Sequence, residues 1–370
     1  MSRSAVLDNP DRFKKIDKSD MLSFCVDAPK HYGNAARLAK QFTVDYPDPR
    51  TIIVAGMGGS GIGGELLKDW SLDKVEVPIE VCREYWLPKY ANKNTLVFVV
   101  SYSGETEETL SVFLDAIKKK CMIICISSGG KLYEIAERLS LPHLLVPSGM
   151  APRATLPYLF MPLPTILKKI GLVPNVDTEV SETVEVLKQV SAENSPQKTV
   201  ENNFAKSLAS KLLGTVPAVY GFGIYRAVAQ RFKTQFNENS KNMAKWEFLS
   251  ELNHNEIVGW EDAEEFAKFF SVIFIRDVDE PVEMRQRIDV TKELISRQKP
   301  RLFEVWSKGK RDMARMASVI CAGDFISVYL AVLRGVDPTP VKTISLLKDK
   351  LKQTGVKEKV VRELQKLAAR

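Results

Sequence analysis

Between residues 51 and 147 short β-branched runs alternate with stretches of helical spacing, and few folds accommodate that alternation. The runs are TIIVA (51–55), residues 79–82, TLVFVVS (95–101), MIICIS (122–127) and, as a fifth candidate, LPHLLVP (141–147). Runs this short and this uniformly apolar suit strands covered on both faces. Residues 61–70, 105–119 and 130–139 carry helical periodicity between them. Strand, helix and strand repeated in this way imply right-handed crossovers and an α/β fold with a parallel, doubly wound sheet.

A second, less regular α/β pattern follows. An apolar helix is expected over 157–171. A polar, acidic stretch over 174–198 is the best candidate for a boundary, so the domains are read as 1–190 and 191–370. Beyond it, TVPAVYGFG (215–223) reads as strand then turn and residues 225–241 as helix. FFSVIFI (269–275) and RLFEVWS (301–307) read as strands, with helices over 313–333 and 341–353. A glycine turn after the first strand of each half suggests a duplicated domain. Residues 1–45 receive no assignment.

At 370 residues the chain can bury two cores of ordinary size. With 45% apolar and 27% charged residues it has the balance of a soluble globular protein. No apolar run approaches the roughly eighteen residues of a membrane span, and the charged N-terminus lacks a signal-peptide core. The five cysteines, Cys25, Cys82, Cys121, Cys125 and Cys321, show no paired spacing. A reduced, cytoplasmic protein without disulfides is expected. The net charge of +7 is spread along the chain and intermixed with acids, which argues against nucleic acid as a partner. Such an excess suits phosphorylated anions, whose local concentration it raises.

GMGGSGIGG (56–64) directly follows the first strand. Gly56, Gly58 and Gly61 satisfy the G-x-G-x-x-G dinucleotide pattern, with Glu80 and Glu84 about twenty residues downstream. Glycines let backbone N–H groups approach an anion, and a helix N-terminus favours negative charge. A nicotinamide cofactor and a phosphate monoester are both compatible with this loop. The loop after the third strand separates them. SYSGETEET (101–109) places hydroxyls at Ser101, Ser103 and Thr106 around Gly104. In a flavodoxin-like strand order the two loops flank the topological switch point, where ligands bind. Ser60 and the second set of hydroxyls then converge on one phosphate, a density of short-armed donors that a pyrophosphate does not need.

G-x-G-G-S (56–60) followed by S-x-S-G-x-T (101–106) resembles the phosphosugar site of the sugar-isomerase (SIS) domain, with Gly58, Gly59, Ser60, Ser101, Ser103 and Thr106 as the binding set. Three more segments resemble the bifunctional phosphoglucose/phosphomannose isomerases: APRATLPYLF (151–160), FNENSKNMAKWEFLSELNHNEIVGW (236–260) and GVDPTPVKTISLLK (335–348). The resemblance runs from about residue 50 to 350. It implies two flavodoxin-like SIS domains, each an α-β-α sandwich, and interconversion of glucose 6-phosphate and mannose 6-phosphate with fructose 6-phosphate.

The chemistry asks for these residue types. Moving a carbonyl between C1 and C2 needs a base that shuttles a carbon-bound proton, and a carboxylate suits this. The enediolate needs a fixed positive charge, best supplied by a guanidinium. Opening the sugar ring needs an acid/base group, for which histidine is suited. By resemblance Glu238 is the base, Arg153 the enediolate stabiliser and His254 the ring opener, with Lys348 assisting. In related isomerases the histidine crosses a dimer interface, so a homodimer with composite sites is implied. Thr339 and Thr343 are candidates for shaping the space around C2.

Blander readings exist for each residue. Glu238 by default is a solvated helix carboxylate, although Asn237 and Asn239 beside it are poor interior helix formers. His254 could be structural, yet the N-H-N-E run packs four polar groups against Ile257 and Val258. His31 and His143 are read as incidental. No metal-ligand spacing is present, so neither metal nor organic cofactor is expected. A non-catalytic sugar-phosphate sensor would keep the serine cup without Glu238, Arg153 and His254. A dinucleotide oxidoreductase would need an adenosine pocket.

Overall fold

The computed structural model describes residues 3–369. The first sheet contains β1 (Thr51–Ala55), β2 (Ile79–Cys82), β3 (Thr95–Val100), β4 (Met122–Ser127) and β5 (His143–Leu145) in the order β2-β1-β3-β4-β5. Every neighbouring pair is parallel. Every residue of β3 and β4 is buried, as expected of central strands covered on both faces. This is the flavodoxin-like order, with its switch point between β1 and β3.

The second sheet contains β6 (Val216–Phe222), β7 (Lys245–Leu249), β8 (Phe270–Arg276) and β9 (Arg301–Trp306) in the order β7-β6-β8-β9, again all parallel. It repeats the connectivity of the first sheet without a fifth strand, so the duplicated architecture is present. β7 escapes sequence reading because KWEFL mixes charge with aromatics. It is an edge strand whose residues are mostly half-exposed.

The chain forms two compact units, and neither is contiguous. The first sheet gathers His31–Thr178 and the tail from Val341, whereas the second gathers the N-terminal segment through Lys30 and Glu179–Pro340. This differs from the expected halves 1–190 and 191–370 at both chain ends, for identifiable reasons. The C-terminal helix Val356–Ala368 buries Leu364 completely against helices Glu107–Lys118 and Gly130–Arg138, with Val360, Val361 and Leu367 alongside. At the other end, Phe13 packs edge-on to Tyr329, Val26 O accepts from Ser191 Oγ at 2.8 Å, and Asp8 pairs with the fully buried Lys206 at 2.9 Å.

The acidic stretch read as a boundary is mostly an eighteen-residue helix, Val176–Glu193. Val176, Val180, Thr183, Leu187 and Val190 recur at spacings of three and four and are all buried. The unit boundary falls near that helix's start. The apolar helix expected over 157–171 is split into Leu156–Phe160 and Pro162–Lys169, because Pro162 cannot continue the preceding turn. Helix Asp312–Leu333 is in fact long and apolar enough to cross a membrane. Its most apolar window is 89% buried, which makes it the core helix of the second unit.

Candidate active site

In the unit built on the first sheet, the two expected loops do converge. Gly56 passes so close to the end of β3 that a Cβ there would lie 2.8 Å from Val100 O. Gly58 has φ +53° and precedes the helix Gly59–Trp70, which begins two residues earlier than the periodicity suggests. Ser60, in its first turn, accepts a hydrogen bond from Tyr102 N at 3.2 Å. In the second loop Ser101 Oγ and Thr106 Oγ1 lie 2.9 Å apart, and Ser103 Oγ accepts from Glu105 N at 3.2 Å. Gly104, at φ +66°, lets this loop press on the next one: a Cβ would sit 1.8 Å from Gly129 O. Ser60 and Ser101 are buried, Thr106 is half-buried and Ser103 is exposed. The result is a cup of hydroxyls and N–H groups at two helix N-termini, a favourable setting for an anion.

The arginine segment reaches the same place. Gly59 touches it so closely that a Cβ would lie 2.9 Å from Pro152 O and 3.6 Å from Arg153 Cα. Arg153 belongs to a short helical turn, Pro152–Ala154, and is only 2% exposed. Ser60 and Arg153, far apart in sequence, are thus held together through one glycine contact. Lys348 lies on the helix Lys342–Leu351, which has no buried residue. Thr343 on the same helix is exposed.

Glu238 and His254 belong to the other unit. Glu238 is the last residue of helix Arg226–Glu238 and is half-buried. That helix is anchored to the core helix: Asp324 accepts from Arg231 at 3.1 and 3.2 Å and from Gln235 at 2.8 Å. Just past Glu238, Asn239 Nδ2 donates to Ser327 Oγ at 2.9 Å and Ser240 Oγ to Ser327 O at 2.6 Å. Lys241 Nζ donates to Glu238 O at 2.8 Å and also to Asp337 O and Pro338 O. The asparagine beside Glu238 is therefore 1% exposed and bonded, and the loop around the carboxylate is fixed from both sides. Thr339, two residues beyond Asp337, donates its N–H to that residue's carboxylate at 3.0 Å.

His254 ends a turn, Glu251–His254, that follows β7. Its neighbours are engaged: Asn253 donates to Thr291 Oγ1, Asn255 to Glu251, and Glu256 accepts from Tyr220 and Lys245. His254 itself is exposed. These two residues are not brought together within their unit. Helix Arg226–Glu238 runs back from the C-terminal end of β6, so Glu238 lies at the strands' N-terminal end. There the nearby Asn242 donates to Thr215 O at 2.9 Å. His254 follows the opposite end of β7, a strand of five residues or about 16 Å.

The other histidines have local partners. His31 Nδ1 is 3.1 Å from Tyr158 OH, and His143 Nε2 is 2.8 Å from Ser127 Oγ. Burial lowers the His143 pKa to about 4, so that ring is neutral at pH 7. All five cysteines are free thiols. Sequence reasoning passed over Tyr102 and Glu105, the variable positions inside S-x-S-G-x-T. Glu105 accepts from Lys131 N at 2.9 Å and pairs with Lys357 of the C-terminal helix.

Residues 201–351 match the family described as bacterial phospho-glucose isomerase C-terminal SIS domain. The bifunctional phosphoglucose/phosphomannose isomerase of Caldicellulosiruptor bescii is 41% identical over 90% of this chain and 98% of that protein. The enzyme of the same name from Aquifex aeolicus is 35% identical over 82% of this chain and 90% of that protein. Among solved structures, a hypothetical protein of Thermus thermophilus covers 90% of each chain with a TM-score of 0.69 at 14% identity, a likeness of fold.

Proposed function

We propose that this chain, which belongs to the bifunctional phosphoglucose/phosphomannose isomerase family, holds the 6-phosphate of its substrate in the Ser60, Ser101 and Thr106 cup and carries out proton transfer with Glu238. The chain is a sugar-phosphate isomerase. Its substrates in this reading are glucose 6-phosphate and mannose 6-phosphate, both converted to fructose 6-phosphate. These aldoses differ only at C2. Once the C2 proton leaves, both give the same enediolate, so one base can serve both.

In the proposed sequence His254, assisted by Lys348, moves the proton of the C1 hydroxyl to the ring oxygen as the bond from C1 to that oxygen breaks, opening the pyranose to the C1 aldehyde. Glu238 then removes the C2 proton, and the negative charge moves onto the C1 oxygen. The buried Arg153 guanidinium stabilises that charge, which is worth more away from water. Glu238 returns the proton to C1 while the C2 hydroxyl proton passes to the C1 oxygen, so that C2 becomes the carbonyl of the ketose. No group outside the chain is asked to accept electrons, because oxidation at C2 is matched by reduction at C1. The observation that carries this reading is the Gly59 contact, which holds an arginine against the phosphate cup.

A homodimer with His254 donated across the interface belongs to the same proposal. Two observations support it. One protomer's Glu238 and His254 lie at opposite ends of the second sheet. The helix Lys342–Leu351 also exposes Ile344, Leu346 and Leu347 on a helix with no buried residue, apolar side chains that a second copy would cover. A cytoplasmic location and a role in hexose-phosphate flux in glycolysis and gluconeogenesis complete the proposal. The test is a coupled assay of fructose 6-phosphate formation from each aldose in turn. Loss of turnover in Arg153→Gln with phosphate binding retained is expected; full activity in that variant overturns the reading.

A further inference from the structure

We propose that Tyr102 is a positioning residue for Arg153, joining the phosphate cup to the arginine segment through its main chain and its hydroxyl. This rests on the reading of Arg153 given above. Tyr102 occupies the variable position of S-x-S-G-x-T and is 7% exposed. Its N–H donates to Ser60 Oγ at 3.2 Å. Its carbonyl accepts from Ser128 N at 2.8 Å and Ser128 Oγ at 2.7 Å. Its hydroxyl donates to Pro147 O at 3.1 Å and accepts from Met150 N at 3.0 Å.

Those last two bonds fix both ends of a four-residue turn that contains Gly149, at φ +87°, and leads straight into Pro152 and Arg153. Pro147, Ser148 and Gly149 are exposed and Met150 is half-buried, so the hydroxyl is a principal constraint on where the next residues begin. Gly59 presses on Pro152 from the other side. Tyr102 and Gly59 thus hold the arginine segment from two directions, and one of them also grips Ser60. Tyr102 serves both halves of the site: phosphate registration through its N–H to Ser60, and charge placement through its hydroxyl and the turn.

Tyr102→Phe keeps the ring and removes only the bridging oxygen. The expected result for the full-length enzyme is a fall in kcat of about 10- to 100-fold, the scale of an ångström-sized misplacement. KM and the inhibition constant of inorganic phosphate should stay within about threefold, because the Tyr102 N–H to Ser60 is untouched. Placed on Arg153→Lys, the same change should add less than about twofold, since two residues acting through one group are not additive.

An unchanged kcat in Tyr102→Phe overturns the proposal. So does a rise in the phosphate inhibition constant with kcat intact, or a double variant whose losses multiply. If Arg153→Lys itself keeps full kcat, the reading of Arg153 fails and this inference falls with it. Loss in Arg153→Lys beside an unaffected Tyr102→Phe condemns the inference alone. Should Tyr102→Phe not accumulate as folded protein, Ser128→Ala tests the same chain of contacts. There a lower kcat at constant phosphate inhibition supports it and an unchanged kcat overturns it.

Discussion

Gly59→Ala perturbs the contact on which the proposed site depends. The new methyl would start 2.9 Å from Pro152 O and 3.4 Å from Pro152 C, both backbone atoms that cannot rotate away. Restoring ordinary contact requires the helix Gly59–Trp70 and the Pro152–Ala154 turn to separate by roughly half an ångström or more. Overpacking of this kind costs about 1–3 kcal/mol. Alanine recovers up to about 1 kcal/mol relative to glycine in a helix, less at the first position. The net loss of stability is therefore about 0–3 kcal/mol, and the enzyme remains folded. Activity is the more sensitive readout, because Arg153 Cα lies on the displaced turn. A fall in kcat/KM of about 10- to 100-fold is expected in the coupled fructose 6-phosphate assay. Gly63→Ala supplies the comparison. Its methyl would meet Leu159 O at the same 2.9 Å, one helical turn further from Arg153. It should show similar thermal destabilisation but keep kcat/KM within about threefold. Equal activity losses in the two variants, or full activity in folded Gly59→Ala, would refute the argument that Gly59 sets the arginine's place.

Mixing inactive Glu238→Gln with inactive His254→Ala subunits should restore about a quarter of wild-type activity, since half the dimers are mixed and each has one intact composite site. No recovery after verified subunit exchange contradicts a crossing histidine. Lys206→Met should destabilise the enzyme by about 2–4 kcal/mol in thermal denaturation, because it strips Asp8 and the carbonyls of Pro196 and Lys198 of their partner. For Glu182, burial pushes the carboxyl pKa up, but bonds from the N–H groups of Lys310 and Arg311 and from the Arg311 guanidinium outweigh it and hold it below 4.5. A depressed folded-state pKa gives stability that is present above the unfolded value and lost as pH falls through the folded one. Glu182→Gln should thus be less stable than wild type at pH 7, by about 1 kcal/mol, with the gap closing below pH 4.5 in acid-denaturation curves.

How much of this could be read from the sequence follows from burial. β1, β3, β4 and β8 lie in dry interiors and are written in β-branched residues, so they were legible. β7 sits at an edge, where KWEFL satisfies both solvent and core and leaves no clean period. Helix Val176–Glu193 was legible in principle: its stripe from Val176 to Val190 was masked by the acidic residues between. The exchanged chain ends were not legible, because Leu364 and Phe13 show that they need apolar partners without showing which sheet supplies them. Within the site, Ser60 and Ser101 announced themselves through paired loop motifs. The joining of Arg153 to the cup depends on a missing Cβ at Gly59, and spacing along the chain carries no record of what that absence admits. The separation of Glu238 from His254 is implied only by the resemblance, through a histidine that crosses a dimer interface; their nearness in sequence does not reveal that a whole strand lies between them.

Whether a single carboxylate serves both aldoses is decided by measuring fructose 6-phosphate formation from glucose 6-phosphate and from mannose 6-phosphate, with chelator present, in wild-type enzyme and in Glu238→Gln. Turnover of both sugars by the wild type is expected, with a parallel loss of about 100-fold or more for both in the variant and phosphate binding retained. Turnover that survives in Glu238→Gln, or that is lost for one sugar and kept for the other, would contradict it.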